Sequence, residues 1–213
     1  MLKEDFDVLK CTEVDNGKTQ EELNLPKGYR FSPDDDELVL FYLFNKILGR
    51  PIPLTDVIKE LDLYEHDPDQ IPRGDYRHGT KGNEAYYFTN VEQIYSSEGK
   101  GTKRTTKGGY WKVTTEREQV TYGDDKVVVG FKTSMLFNKG HVPRRKLSSF
   151  VMHEYRVNPS IVPVGVLNDS IRAKIERFVV CKIVNKDVEI LDMHQTYKME
   201  PEMLDNEEDS ESN

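Results

Sequence analysis

The sequence predicts an α+β fold in which an antiparallel β-sheet is accompanied by a few helices. Three observations carry that expectation. An apolar segment with the chemistry of a helix start occupies residues 32–49, short β-branched and aromatic runs follow one another from residue 84 onward, and several of those runs are joined by short links. Short links suit antiparallel neighbours, because parallel strands need crossovers of about a dozen residues or more.

Residues 1–23 mix charges without apolar periodicity and are expected to be a flexible arm. Leu25, Pro26, Lys27 and Gly28 form a turn signal leading into a short extended segment, Tyr29-Arg30-Phe31. Ser32 then fits a helix N-cap and Pro33 the first helical position. Asp34, Asp35, Asp36 and Glu37 place negative charge where free N–H groups and the helix dipole favour it. Ser32 and Asp35 also have the spacing of a capping box. Four adjacent carboxylates could suggest a metal site, but helix capping accounts for them. The helix runs on through Leu38 to Leu48, apolar nearly all round and hence buried on a wide arc, and Gly49 closes it. After Pro51 and Pro53, residues 54–61 are expected as a second short helix and residues 66–72 as a loop. Strands are expected at 85–88, 110–114, 126–132, 134–137, 149–157 and 177–184. Residues 187–213 are acidic, with few apolar side chains after Met193, and read as a disordered tail.

A chain of 213 residues with 36% hydrophobic, 32% charged and 10% aromatic residues suits one globular domain with polar extensions. No apolar run is long enough to span a bilayer and the acidic N-terminus lacks signal-peptide features, so an intracellular protein with no membrane partner is expected. Cys11 and Cys181 are expected as reduced thiols. The net charge of -8 is unevenly spread. Residues 1–75 carry 9 basic and 18 acidic side chains and residues 187–213 carry 1 and 10, whereas residues 99–156 carry 13 and 5. A net-acidic protein can therefore present a basic face.

That basic region contains the single tryptophan, Trp111. Between Gly99 and Gln119, Lys100, Lys103, Arg104, Lys107, Lys112 and Arg117 stand against Glu116 and Glu118. Cations, glycines and aromatics together point to a polyanion; a solvated loop running into a core strand with a buried Trp111 is the plain alternative. Gly99-Lys100-Gly101 does not complete a phosphate-binding loop, since Ile94 and Gly101 stand where a glycine and a Ser or Thr are needed, and Arg104 takes the place of the third glycine of a dinucleotide fingerprint. His66, His78, His141, His153 and His194 show no metal-ligand spacing with the cysteines, so no metal or cofactor is expected, and His153 reads as structural.

Taken together, several segments of residues 24–186 resemble the plant NAC-domain transcription factors. The resemblance rests on Leu25-Pro26-Lys27-Gly28-Tyr29-Arg30-Phe31-Ser32-Pro33 leading into Asp36-Glu37-Leu38-Val39, and on Asp62-Leu63-Tyr64, Tyr86-Tyr87-Phe88 and Gly109-Tyr110-Trp111-Lys112. It continues through Gly130-Phe131-Lys132, Leu136-Phe137, 151–157 (Val-Met-His-Glu-Tyr-Arg-Val) and 178–183 (Phe-Val-Val-Cys-Lys-Ile). It implies a twisted antiparallel sheet flanked by helices over residues 24–186, no enzyme, and a nuclear, dimeric regulator that reads double-stranded DNA with a CGT-containing core. A sheet-edge strand around Trp111 and Lys112 would enter the major groove. DNA contacts are thereby expected from Lys100, Lys103, Arg104, Lys107, Tyr110, Trp111, Lys112, Val113, Thr114, Thr115, Arg117, Lys132, Arg144, Arg145 and Lys146. Alternation puts Trp111, Val113 and Thr115 on one face and Tyr110, Lys112 and Thr114 on the other, with Trp111 as core anchor and Lys112 and Thr114 as readers. Dimer contacts are expected at Pro26, Gly28, Tyr29, Arg30, Phe31 and Glu37, with Arg30 and Glu37 aligned to an ion pair between protomers, the partner being a second copy or a related protein. This chain departs from the family's usual Trp-Lys-Ala-Thr-Gly run at Val113 and Thr115, and beyond it at Arg117 and Glu118. An interaction module that binds DNA weakly and a phosphate-binding enzyme are the competing readings.

Overall fold

The structure, a computed structural model, describes residues 30–52, 58–71, 83–91, 93–96, 99–102, 104–140 and 146–187. Its frame is a six-stranded sheet built from β1 (Lys59–Glu60), β2 (Glu84–Asn90), β5 (Gly109–Tyr122), β6 (Val127–Lys139), β7 (Lys146–Val157) and β8 (Phe178–Asn185), in the order β1-β2-β8-β7-β6-β5. The strands from β2 to β5 pair antiparallel, as expected. β1 instead runs parallel to β2, so the sheet is mixed. A separate antiparallel hairpin joins β3 (Gln93–Ser96) to β4 (Gly99–Thr102).

Two expectations about elements are corrected. The second short helix was placed at 54–61; residues 53–57 lie outside the described residues, and Lys59 and Glu60 pair with Tyr87 and Phe88 as β1. The backbone groups along the edge of β2 need partners, and this segment supplies them, with Leu61 N also donating to Phe88 O at 3.0 Å. The strands expected at 126–132 and 134–137 are one strand, β6, because Thr133 continues the pairing opposite Glu154.

The first helix begins two residues later than expected. Asp34, not Ser32, is the N-cap, and its N–H donates to Glu37 Oε2 at 2.9 Å. The box spacing fits both frames, and glutamate reaches back to the cap more easily than Asp35 would. The helix comprises α1 (Asp35–Glu37), a π-helical stretch Leu38–Phe44 and α2 (Asn45–Leu48), closed by Gly49 at φ 68°. Asn45 is buried and donates its side-chain amide to Phe41 O at 2.9 Å. α3 (Asp169–Arg177) starts on Asn168, whose side chain accepts from Ile171 N at 2.9 Å.

Alternation along the strands divides the core between the two faces of the sheet. Tyr86, Phe88, Val129, Tyr155, Val157 and Val180 pack with Leu38, Val39, Leu43, Phe44 and Ile47 of the first helix and Ile175 of α3. On the other face, Tyr87, Trp111, Met135, Phe137, Met152 and Cys181 pack with Ile71 and with Leu63 and Tyr64 of the 3-10 turn Leu63–Glu65. The π-helical stretch approaches β6 closely at Gly130, where a Cβ would stand 2.9 Å from Val39 Cγ1 and 2.5 Å from Arg156 O. Among the described residues no helix is long and apolar enough to cross a membrane.

Candidate nucleic-acid interface

β5 is the last strand of the sheet, and among the described residues its outer edge is paired only at its start. Residues 104–106 fold back along it: Thr106 N donates to Gly109 O at 2.9 Å, Trp111 N donates to Arg104 O at 2.8 Å, and Thr105 pairs with Tyr110. The resulting tight turn carries exposed Lys107, and Lys112 follows on the strand immediately after it. Trp111 is 3% exposed and packs on Phe137 with ring centroids 5.1 Å apart. It is the core anchor that alternation assigned, and Lys112 and Thr114 on the opposite face are exposed.

Beyond Val113 the strand is irregular. Register shifts fall between Val113 and Thr115 and between Thr115 and Glu118. The first shift sets Thr115 opposite Ser134 and thereby moves it from the Trp111 face to the Lys112 face, correcting the simple alternation. Lys112, Thr114 and Thr115 are thus gathered on one side. Arg117 takes φ 53°, unusual for a residue with a Cβ, and its guanidinium lies 4.4 Å from the centroid of the Phe131 ring. Bulges that bend and re-aim an edge strand are common beside functional sites.

Two cations expected as DNA contacts are already engaged within the chain. Arg104 Nη2 lies 3.7 Å from Oε1 of Glu154, a carboxylate 1% exposed. Glu154 also accepts from Arg156 Nε at 3.1 Å and from the Tyr64 hydroxyl at 2.6 Å. A buried carboxylate needs such company, and although Arg156 is only two residues away, Tyr64 and Arg104 are far off in the chain and no local pattern announces them. Burial, together with the Glu154 charge, pushes both the Tyr64 hydroxyl and the Cys181 thiol well above their ordinary values, so Cys181 is a protonated thiol. Lys132 Nζ is the second engaged cation, 2.8 Å from Asp35 Oδ2 and 3.8 Å from Glu118 Oε2. Its charge is satisfied on the helix side of the sheet.

Asp67 is a residue that sequence reasoning left in a loop. It is 7% exposed, and its Oδ1 accepts from Thr106 Oγ1 and, at 2.9 Å, from Gly108 N. Gly109 N in turn donates to Thr106 Oγ1 at 3.1 Å, and Gly140 N to Gly108 O at 2.6 Å. An Asp before Pro68 signals a turn, but nothing local names partners some forty residues later.

Lys103, Arg144 and Arg145, with Pro26, Gly28 and Tyr29, lie outside the described residues, as does the Lys100 side chain. Lys146 is exposed at the start of β7, opposite Lys139 of β6, which is opposite Gly109 of β5. Arg30 is exposed, whereas Phe31 is 6% exposed, its ring held between Tyr42 and Tyr86 at centroid distances of 5.3 and 5.0 Å. The Phe31 side chain, expected at the dimer interface, fills this chain's own core. Gly99-Lys100-Gly101-Thr102 forms β4, a strand and not a phosphate loop opening a helix. Among the described residues there is no cluster of three or more His, Cys, Asp and Glu able to hold a metal.

A mixed sheet with a bulged basic edge strand, packed on few helices, is the α+β architecture of the NAC domain. The family model for No apical meristem (NAM) protein matches residues 26–157, and the chain belongs to that family. It is 37% identical over 164 residues to NAC domain-containing protein 41 of Arabidopsis thaliana, covering 77% of this chain and 55% of that protein. It is 35% identical over 162 residues to NAC transcription factor 29 of Arabidopsis thaliana (76% of this chain, 57% of that protein). With NAC domain-containing protein 68 of Oryza sativa subsp. japonica it shares 36% identity over 165 residues (78% and 50%). The chain spans about half the length of these curated relatives. The family is one of plant transcription factors, not of enzymes.

Proposed function

We propose that this chain is a transcription regulator that binds double-stranded DNA as a dimer in the nucleus, with residues 24–186 carrying both contacts. The observation that supports it best is β5: a sheet-edge strand whose exposed Lys112, Thr114 and Thr115 share a face beyond a basic turn bearing Lys107. An edge strand fits the major groove, lysine donates to guanine O6 or N7, and threonine methyls contact thymine methyls. Arg117 and Lys146, with Lys103, Arg144 and Arg145, supply phosphate charge. Arg30 and Glu37 are the charges through which the dimer pairs, both exposed. A fluorescence-anisotropy titration with CGT-containing and scrambled duplexes tests the reading. Preference for the CGT duplex with a negative salt slope supports it, and equal weak binding to both leaves the interaction module as the function.

A further inference from the structure

The geometry points to Asp67 as a positioning residue of the DNA-binding turn, an acid placed inside a basic interface to fix its shape. The inference rests on the DNA-binding reading above. Asp67 belongs to a turn of its own, with Gln70 N donating to Asp67 O at 2.9 Å, and that turn follows the 3-10 turn whose Leu63 and Tyr64 are buried against the sheet. From this anchored position one carboxylate oxygen receives both the Thr106 hydroxyl and the Gly108 amide. Thr106 then holds Gly109, the first residue of β5, so the chain of hydrogen bonds runs from Asp67 to the start of the strand. The fit is close: a Cβ on Gly108 would stand 1.9 Å from Asp67 Oδ2. Lys107, between the two contacts, therefore has its backbone set before any partner arrives, and a preordered turn spends less binding free energy on becoming ordered.

Charge and position make opposite predictions for this residue, which makes the idea testable. If Asp67 acted only as a negative charge near phosphates, Asp67→Ala would tighten binding to every duplex. As a positioning residue its loss weakens binding despite the removed repulsion, by about tenfold on the preferred duplex, the penalty of ordering the turn on contact. Asp67→Asn keeps the oxygen acceptor and is expected to restore affinity to within about threefold of the parent protein. Gly108→Ala keeps the charge but displaces the carboxylate, and it is expected to weaken binding and to add little in the Asp67→Ala background, since contacting residues are non-additive.

The experiment is an anisotropy titration of the full chain and these variants, with amide exchange at Gly108 and Gly109 in the free protein. Faster exchange in Asp67→Ala, weaker DNA binding and recovery in Asp67→Asn establish the role. Tighter binding by Asp67→Ala, unchanged exchange, or faster exchange with unchanged affinity each overturns it. If the parent protein binds no duplex, the DNA reading and the role built on it fail together, while the exchange data still show whether Asp67 holds the turn.

Discussion

Lys132 Nζ lies 2.8 Å from Asp35 Oδ2, tying the first turn of the helix to the middle of β6 across 97 residues of chain. Asp35 Oδ1 accepts from the Tyr155 hydroxyl at 2.6 Å, so one carboxylate joins the helix to two strands. Burial pushes the Asp35 carboxyl up, but the hydrogen bonds from Lys132 and Tyr155 and the charges of Lys132 and His153 outweigh it and hold the group below its ordinary value. A depressed folded-state value means the stability is present above the unfolded value near 3.8 and is lost as pH falls through the lower folded value. Lys132→Met is accordingly expected to cost about 1 kcal/mol at pH 7, a partly exposed pair being worth no more. Urea unfolding at pH 7 and at pH 2.5 checks this; a difference that persists undiminished at the lower pH would assign it to packing.

His153 sits on the same face, its Nδ1 2.9 Å from Ser134 Oγ. Burial lowers its value below 6.5, the Lys132 and Lys182 charges lower it further, and Asp35 and Glu118 offset part of that. A depressed histidine is neutral in the fold, and the unfolded chain binds its proton first, so stability present above the unfolded value near 6.5 declines as pH falls from there toward the folded value. His153→Gln is expected to flatten the stability profile between pH 7 and pH 5. Chemical-denaturation midpoints at half-unit intervals measure it, and parallel profiles for both proteins would rule His153 out.

The third expectation concerns Arg104, which faces buried Glu154 at 3.7 Å. Arg156, at 3.0 Å, remains to neutralise that carboxylate when Arg104 is removed, so the damage is partial. Arg104→Ala is expected to lower stability by about 1–2 kcal/mol, the cost of stripping one partner from a buried charge that keeps another. Its effect on DNA is expected to be equal for preferred and scrambled duplexes. A selective loss on the preferred duplex would place Arg104 on a base instead.

The readable parts of this fold were those whose signal is local. Alternation located Trp111 in the core and Lys112 outside it, the short links between strand runs marked antiparallel neighbours, and the acids before Leu38 marked a helix start. Frame was harder to read than existence, because Asp34 and Glu37 satisfy the same spacing as Ser32 and Asp35. The unread parts depend on partners distant in the chain. Nothing near Glu154 announces Tyr64, and nothing near Gly108 announces Asp67, 41 residues earlier. The bulges that carry Thr115 across the strand were hidden for a related reason: periodicity assumes regular pairing, and register depends on the neighbouring strand.

Arg30 and Glu37 bear on the dimer. Glu37 Oε2 is occupied by the Asp34 amide, which fixes the carboxylate at the helix start, while Arg30, seven residues before Glu37, is exposed. An interprotomer arginine–carboxylate bond there repeats itself by two-fold symmetry, giving two such pairs per dimer. Arg30→Glu turns both into like-charge contacts and is expected to shift the protein to monomer at low micromolar concentration. Sedimentation velocity reads the change, and an unaltered dimer would move the interface elsewhere.

Lys112 is the sharpest test of the interface. It is exposed on the first stretch of β5 whose outer edge is no longer covered by residues 104–106, and it shares a face with Thr114 and, through the register shift, Thr115. Lys107, in the turn that precedes β5, is exposed as well but stands outside the strand. A base contact and a phosphate contact differ in what their loss does. Lys112→Ala is expected to cost about 1–3 kcal/mol on the preferred duplex and to erode its advantage over a scrambled one. Lys107→Ala is expected to weaken both duplexes alike and to reduce the magnitude of the salt slope by about 0.9. Glu118, exposed and 3.8 Å from Lys132, opposes the field of the strand, so Glu118→Lys is expected to strengthen binding to both duplexes. Anisotropy titrations of the three variants at two salt concentrations separate these outcomes: equal losses on both duplexes for Lys112→Ala make it a phosphate contact, and no loss removes β5 from the interface.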